Sequence, residues 1–305
     1  MYGDGDDSEA MAKGVFSPLA FFVNKMVWLM NYNISKRGGI IMIRVGVMGA
    51  GGRMGREICR SVVAEEGLEL VAAFDRSYQG MEIGALIGMP VEGVLVETDL
   101  DKLLDTVQID VMIDFTVADA MRVNVPKVLK KGIAVVTGTT GLSPEERAEM
   151  GKIAEANNTS MFHAANFAIG AVLMMKFAAE AAKYMPYAEV IELHHDKKLD
   201  APSGTAVTTL AKIAENRAPM RQGMEDEYEK IPGARGGEYE GMRVHSVRLP
   251  GFVASQEVIF GGLGQTLTIR HDSISRESFM PGIMLAAKKV QGWKGLLEDL
   301  ENIMD

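Results

Sequence analysis

Ile43-Arg-Val-Gly-Val-Met-Gly-Ala-Gly-Gly-Arg-Met-Gly55 is an apolar run of strand length that breaks into a glycine turn, and Arg56 to Glu66 behind it carry a helical pattern. Strand, glycine turn and helix in that order open a doubly wound α/β sheet. Glycines let the backbone turn sharply and approach a pyrophosphate, whose charge is met by N–H groups at the helix start. The spacing is Gly49-x-x-Gly52-x-x-Gly55, with Met54 where the common Gly-x-Gly-x-x-Gly pattern has its third glycine. The turn alone therefore specifies little, and its context matters. A second strand, Leu68 to Phe74, ends in Asp75, 20 residues beyond Gly55, where an acid grips an adenine ribose. Asp75 favours the free ribose diol of NAD, while Arg76 could stack on adenine or pair with the extra phosphate of NADP. Both cofactors are expected to be accepted, although an ordinary turn uses the same residue types.

Outward from this unit the pattern keeps alternating. A looser stretch leads to a helix from Asp99 to Thr106, then strand Asp110 to Phe115, helix Ala118 to Lys131, strand Ile133 to Thr137, helix Pro144 to Asn157 and strand Thr159 to Phe162. Crossovers of this kind predict a parallel sheet. Asp114-Phe-Thr116 and Gly138-Thr139-Thr140 then lie at the carboxyl ends of strands, where ligands bind in such sheets, though each is also ordinary turn chemistry.

After Ala164-Ala-Asn-Phe167 the style changes. An apolar helix, Gly170 to Met185, precedes the alternating strand Tyr187 to Leu193, a helical run Ala206 to Asn216, and a polar, glycine-rich irregular stretch from Ala218 to Glu240. Three alternating runs follow, Met242 to Leu249, Phe252 to Phe260 and Thr266 to His271, joined by Pro250-Gly251 and Gly261-Gly262, and they read as antiparallel strands. Arg276 to Gln291 reads as a helix that could return to cover the first sheet.

Glu192-Leu-His-His-Asp-Lys-Lys-Leu-Asp-Ala-Pro-Ser-Gly-Thr205 holds two of the five histidines, two lysines and a Ser-Gly-Thr turn. His194 and His195 end a strand and point opposite ways. Ser203, Gly204 and Thr205 precede a helix whose first N–H groups would be unpaired, so an anion could dock there. Cations beside an anion-accepting turn suit a substrate with carboxylates that must also receive a proton. The plainer alternative is a solvated charged loop.

Composition narrows the class. A length of 305 residues allows about two domains, and 47 % hydrophobic content supports packed cores. The 32 basic against 41 acidic side chains, a net charge of −9, argue against a nucleic-acid surface. A lone cysteine, Cys59, makes no internal disulfide, fits a reducing compartment and reads as core filler, as do most of the 22 methionines, such as Met174 and Met175. No metal-binding constellation is visible. Residues 1–41 stand apart as an extension of unknown role. Asp4, Asp6, Asp7 and Glu9 are wrong for a secretory signal, and the apolar stretch from Val15 to Met30, interrupted by Pro18, Asn24 and Lys25, falls short of a membrane span.

The Gly-x-x-Gly-Arg-Met-Gly turn, Gly138-Thr-Thr-Gly141, Ala164-Ala-Asn-Phe167, Glu192-Leu-His-His195 with Lys198, and Asp200-Ala-Pro-Ser-Gly-Thr205 together resemble the 4-hydroxy-tetrahydrodipicolinate reductase family of lysine and diaminopimelate biosynthesis. The resemblance runs from Met42 to the end. It implies a Rossmann-like dinucleotide-binding domain, 42–165, completed by 275–305, and an α+β substrate-binding and tetramerisation domain with a mixed, mainly antiparallel sheet, 166–274. It further implies a cytoplasmic homotetramer that uses NADH or NADPH and acts on a small dicarboxylate cyclic imine, with no nucleic-acid or membrane partner. Carried over by position, Gly49, Ala50, Gly51, Gly52, Arg53 and Met54 would hold the pyrophosphate, Asp75 the ribose and Arg76 the NADP phosphate. Gly138, Thr139 and Thr140 with Ala164, Ala165, Asn166 and Phe167 would line the nicotinamide side, with hinges near Asn166 and His271. His195, Ser203, Gly204 and Thr205 would bind the substrate, and His194 and Lys198 would be the proton donors, unranked by the sequence. Two rivals are another two-domain NAD(P)-dependent amino-acid dehydrogenase, which would lack the His-His, Lys and Ser-Gly-Thr set, and a non-catalytic nucleotide sensor, for which that set is superfluous.

Overall fold

A computed structural model of the protein describes residues 42–304, so the extension read at 1–41 lies outside the described residues. Seven strands form the first sheet: β1 (Ile43–Met48), β2 (Leu68–Phe74), β3 (Val96–Glu97), β4 (Val111–Asp114), β5 (Ala134–Thr137), β6 (Ser160–His163) and β12 (Gly295–Glu298). Their order is β12-β6-β5-β4-β1-β2-β3, and every pair is parallel. β4, β5 and β6 are buried along their whole length, as strands covered on both faces must be. The pleat divides their side chains between two cores. Val45, Val47, Ile113, Val136 and Phe162 enter one, and Met48, Met112, Val135 and Met161 the other.

The crossover helices are α1 (Arg53–Ala64), α2 (Ile83–Ile87), α3 (Leu100–Thr106), α4 (Ala118–Lys130) and α5 (Pro144–Ala156). Their starts follow local chemistry. Asp99 caps α3 by accepting from the Lys102 N–H, and Ser143 with Glu146 forms a capping box on α5 with Pro144 in its first turn. α1 begins three residues earlier than its pattern indicates, because the turn residues Arg53 to Gly55 are already helical.

The second sheet is mixed, in the order β11 (Gln265–Ser273), β10 (Ala254–Gly262), β7 (Tyr187–His194), β9 (Met242–Arg248), β8 (Gly237–Tyr239). α6 (Ile169–Ala182) and α7 (Gly204–Glu215) pack against it. The expected antiparallel run of three strands is corrected at β9. It lies on the far side of β7, parallel to it, and pairs antiparallel only with the short β8. Alternation records which face is buried, not which strand is the neighbour. The expected terminal helix is broken into a 3₁₀ turn (Arg276–Phe279), α8 (Met280–Lys289) and a second 3₁₀ turn (Val290–Gly292). α8 packs on α1, and β12 beyond it joins the edge of the first sheet beside β6. Among the described residues no helix is long and apolar enough to cross a membrane.

Candidate active site

The glycine turn is built by close backbone approach. Gly49 takes φ +79°, and its N–H and that of Ala50 both donate to the Phe74 carbonyl, at 2.9 and 3.1 Å. A Cβ on Gly55 would stand 2.0 Å from the Gly49 carbonyl oxygen, so only glycine lets α1 start flush against the turn. Gly52 caps α1 without a side-chain hydrogen bond, which leaves the first-turn N–H groups without a side-chain acceptor. Asp75 reaches the turn, its Oδ2 accepting the Gly51 N–H at 2.9 Å and its Oδ1 the Ser77 N–H at 3.0 Å. Arg53 and Arg76 are exposed.

Two residues that the sequence reading passed over frame this turn. The Tyr78 ring leaves no room for a Cβ on Gly51, which would lie 2.6 Å from it. Arg56 donates from Nε to the Gly51 carbonyl (2.8 Å) and from a terminal nitrogen to the Tyr78 hydroxyl (3.1 Å), with its guanidinium 5.3 Å from the ring centre. Tyr78 sits in a stretch that carries no period, so no local pattern marks it.

The sheet order reverses between β1 and β4, the point where a crevice opens at the carboxyl ends of the strands. Asp114, fully buried at the end of β4, accepts the hydroxyls of Thr116 (2.7 Å), Thr137 (2.9 Å) and Thr139 (2.8 Å). Burial pushes its pKa up against these three donors. The Thr139 side chain is thus committed inward, also accepting the Thr116 N–H, while Thr140 is exposed. Gly138 makes room for Phe115, whose ring would lie 2.3 Å from a Cβ there. Phe115 in turn meets Phe167 at 5.6 Å between ring centres, and its carbonyl oxygen borders Gly49. The glycine turn, the Gly138 loop and the Ala164 to Phe167 loop therefore converge.

Beside that convergence lies a cavity of about 190 Å³, with Ala165, Asn166, His194, Ser203, Thr205, Gln256 and His271 among its lining residues. The sheet register explains the grouping. Ser246, Glu192, Gln256 and His271 pair across β9, β7, β10 and β11, and the next row is Arg248, His194, Ala254 and Ser273. Rows two apart along a strand share a face. Asn166 Nδ2 donates to Thr205 Oγ1 at 3.3 Å, which links the Ala164 to Phe167 loop to the start of α7. Ser203 is the N-cap of α7, accepting from the Ala206 N–H at 3.2 Å, and Gly204 is exposed. Gln256 and His271 were not singled out as ligand residues by the sequence reading.

His194 Nδ1 lies 2.5 Å from Glu192 Oε2. Glu192 is fully buried and is gripped by both terminal nitrogens of Arg248, at 2.7 and 2.8 Å. Burial works to raise the Glu192 pKa, but the hydrogen bonds from Arg248, Ser246 and His194 overcome it and hold the carboxyl below its usual range. For His194, burial pushes the pKa down, Glu192 opposes, and the positive charges of Lys198 and Arg248 push it further down. Lys198 turns its ammonium to Asp200, at 2.7 and 2.9 Å, and is absent from the cavity lining, as is the exposed His195. The structure thus brings His194, Ser203, Thr205, Ala165 and Asn166 to one cavity and leaves Lys198 and His195 at its margin.

A family model described as dihydrodipicolinate reductase, N-terminus, matches residues 43–167, and one described as dihydrodipicolinate reductase, C-terminus, matches residues 170–304. The chain belongs to the dihydrodipicolinate reductase family. It is 51% identical over 264 residues to 4-hydroxy-tetrahydrodipicolinate reductase from Desulfitobacterium hafniense, covering 86% of this chain and 99% of that one. The enzyme of the same name from Moorella thermoacetica is 49% identical, over 87% and 99% of the two chains. Dipicolinate-bound dihydrodipicolinate reductase from Paenisporosarcina sp. TG-14 shares the fold with a TM-score of 0.77 at 44% identity, over 86% of this chain and 100% of that one. An amine dehydrogenase from Mycobacterium smegmatis, with a TM-score of 0.60 at 15% identity over 84% and 94% of the chains, shares the fold alone. As a member of a reductase family the chain is an oxidoreductase, and its first sheet carries the family's dinucleotide-binding domain.

Proposed function

We propose that this dihydrodipicolinate reductase reduces 4-hydroxy-tetrahydrodipicolinate to tetrahydrodipicolinate with NADH or NADPH, in lysine and diaminopimelate biosynthesis. The observation that carries this reading is His194, held by a buried carboxylate in the wall of a cavity that also takes in Ala165 from the nucleotide domain and the adjoining Asn166. The glycine turn suits a dinucleotide: its close approaches exclude Cβ atoms, and the first turn of α1 has no side-chain cap. A reduced nicotinamide nucleotide, when bound, supplies a hydride to the substrate ring.

In this reading Gly49, Ala50, Gly51, Gly52, Arg53 and Met54 hold the pyrophosphate, Asp75 the adenine ribose and Arg76 the phosphate of NADP. Gly138, Thr139, Thr140 and Ala164 to Phe167 border the nicotinamide. His195, Ser203, Gly204 and Thr205 take the substrate carboxylates, the last three through the start of α7. Two groups, His194 and Lys198, serve as proton donors. Of these His194 is the nearer to the cavity, and Lys198 must leave Asp200 to reach it. Residues 42–165 with 275–305 form the nucleotide domain and 166–274 the substrate domain. The chain works in the cytoplasm as a homotetramer joined through its second sheet, where the edge strand β11 is largely exposed and the adjoining Leu263 is bare.

The test is a coupled assay with the freshly formed condensation product of pyruvate and aspartate semialdehyde and each nucleotide in turn. Oxidation of NADPH or NADH is expected, with turnover lowered by about 100-fold in His194→Ala. Absence of oxidation with either nucleotide would overturn the proposed activity.

A further inference from the structure

We propose that Glu192, clamped by Arg248, is the positioning residue that makes His194 a proton donor, by fixing the imidazole with its hydrogen on Nδ1 and leaving Nε2 for the cavity. The inference rests on the reading of His194 as the donor and goes beyond it, since neither Glu192 nor Arg248 belongs to the groups assigned above.

An ionised carboxylate accepts hydrogen bonds and donates none. Glu192 is surrounded by donors: both terminal nitrogens of Arg248, the Ser203 N–H at 3.3 Å and the Ser246 hydroxyl. A fully buried carboxylate in such a shell stays charged, so the 2.5 Å contact with His194 has the hydrogen on Nδ1. When His194 is also protonated at Nε2, that second N–H is the one free to reach a ligand. Giving the proton up returns the ring to the same tautomer, so no reorientation accompanies the transfer. In the balanced step, the 4-hydroxyl leaves the substrate as water to give a conjugated cyclic imine, and hydride then forms one ring carbon–hydrogen bond as a ring double bond is spent. The electron pair displaced within the ring takes the Nε2 proton, His194 is left neutral, and water is the proton source that recharges it.

Arg248 does more than neutralise. The same terminal nitrogen that grips Glu192 Oε1 also donates to the Asp200 carbonyl at 2.8 Å, and the Asp200 carboxylate holds Lys198. The clamp therefore ties the end of β7 to the loop that carries the second cation. The charged or titratable groups facing His194 are Glu192 on its own strand, Arg248 on β9, Lys198 from the following loop and His271 on β11 across the cavity. The lining residues Ala171 and Met174 of α6 and Thr205 of α7 are uncharged. Glu192 is thus the anion in direct contact with His194.

The full-length protein can be tested without any substrate. Nuclear magnetic resonance of histidine-labelled protein is expected to find neutral His194 with its hydrogen on Nδ1 in the wild type. Its titration is expected to fall by about one pH unit or more in Glu192→Gln, because an anion that favours the charged imidazole is gone. Turnover in Glu192→Gln should fall about 10- to 100-fold near neutral pH, and the alkaline limb of the rate profile should move to lower pH. In a His194→Ala background the same change should cause no further loss of turnover. A neutral His194 carrying its hydrogen on Nε2, an unmoved titration, or a full additional loss in the double variant would each overturn the proposal. Arg248→Lys, which keeps the charge and loses the fork, serves if Glu192→Gln does not fold, and is expected to shift the limb in the same direction. If His194→Ala keeps full turnover, the donor reading fails, while the tautomer still reports on the clamp.

Discussion

Removing the Asp114 carboxylate tests the crevice at its most buried polar point. Two of its three hydroxyl partners cannot simply turn away: Thr139 Oγ1 already accepts the Thr116 N–H, and Thr137 Oγ1 already accepts the Thr139 N–H. Their hydrogens are therefore directed at Asp114. In Asp114→Ala the buried Thr137 and Thr139 lose their acceptor, at about 1–3 kcal/mol for each unsatisfied group, while Thr116 can turn to water. Losing the desolvated charge offsets part of that, and a net destabilisation of about 2–4 kcal/mol is expected. Asp114→Asn keeps an oxygen for Thr137 and Thr139 and presents its amide to Thr116, so it should cost about 1 kcal/mol or less near pH 8. The pH dependence has a definite sign. Burial raises the Asp114 pKa in the folded chain, so the stability linked to its protonated form is whole below the unfolded carboxylate value and is lost as the pH rises through the folded one. Asparagine does not titrate. The cost of Asp114→Asn relative to wild type is accordingly greatest at low pH and shrinks as pH rises. Urea unfolding of the three proteins at matched protomer concentration, across roughly pH 5 to 8, measures this. The reasoning is refuted if Asp114→Ala stays within about 0.5 kcal/mol of wild type, or if the asparagine penalty grows with pH.

Gly55→Ala places a Cβ 2.0 Å from the Gly49 carbonyl oxygen, so α1 must move; calorimetry is expected to show weakened dinucleotide binding and thermal unfolding a loss of about 1–3 kcal/mol. Gly52→Ala, with 3.2 Å to the same oxygen, should be milder in both assays. Arg76→Ala should weaken NADPH by about 10-fold or more and NADH less, and equal losses in a binding titration would remove Arg76 from phosphate recognition. Cys59 is buried and its thiol is pushed up to about 12 by burial, so iodoacetamide near neutral pH should leave the folded protein unmodified and label it only after denaturation, as read by mass spectrometry.

Local pattern carried the first sheet far. Apolar runs ending in glycine or in Asp75 locate β1 and β2, and the alternation of strand and helix gives the parallel order, because a crossover leaves few arrangements for a right-handed unit. The pair of histidines was legible for the same reason: at a strand end neighbouring side chains diverge, and His194 enters the cavity while His195 stays exposed. Glu192, two residues before His194, shares its face by the same rule, yet nothing local identifies what it does.

What the chain alone determined was the type of the long, strongly patterned elements and the residue kinds at their ends, since periodicity, glycine conformation and capping act over a few neighbouring positions; the short α2, β3, β8 and β12 carry too few residues to show a period. Tertiary structure decided the partners. β9 lies parallel to β7 rather than beside β10, β12 closes the edge of the first sheet, and Arg248 reaches Glu192 across 56 residues of sequence. Tyr78 came to rest on the glycine turn, and Gln256 and His271 joined the cavity through register with Glu192. Such pairings come from burying faces and satisfying polar groups over the whole molecule, so they leave no short-range trace.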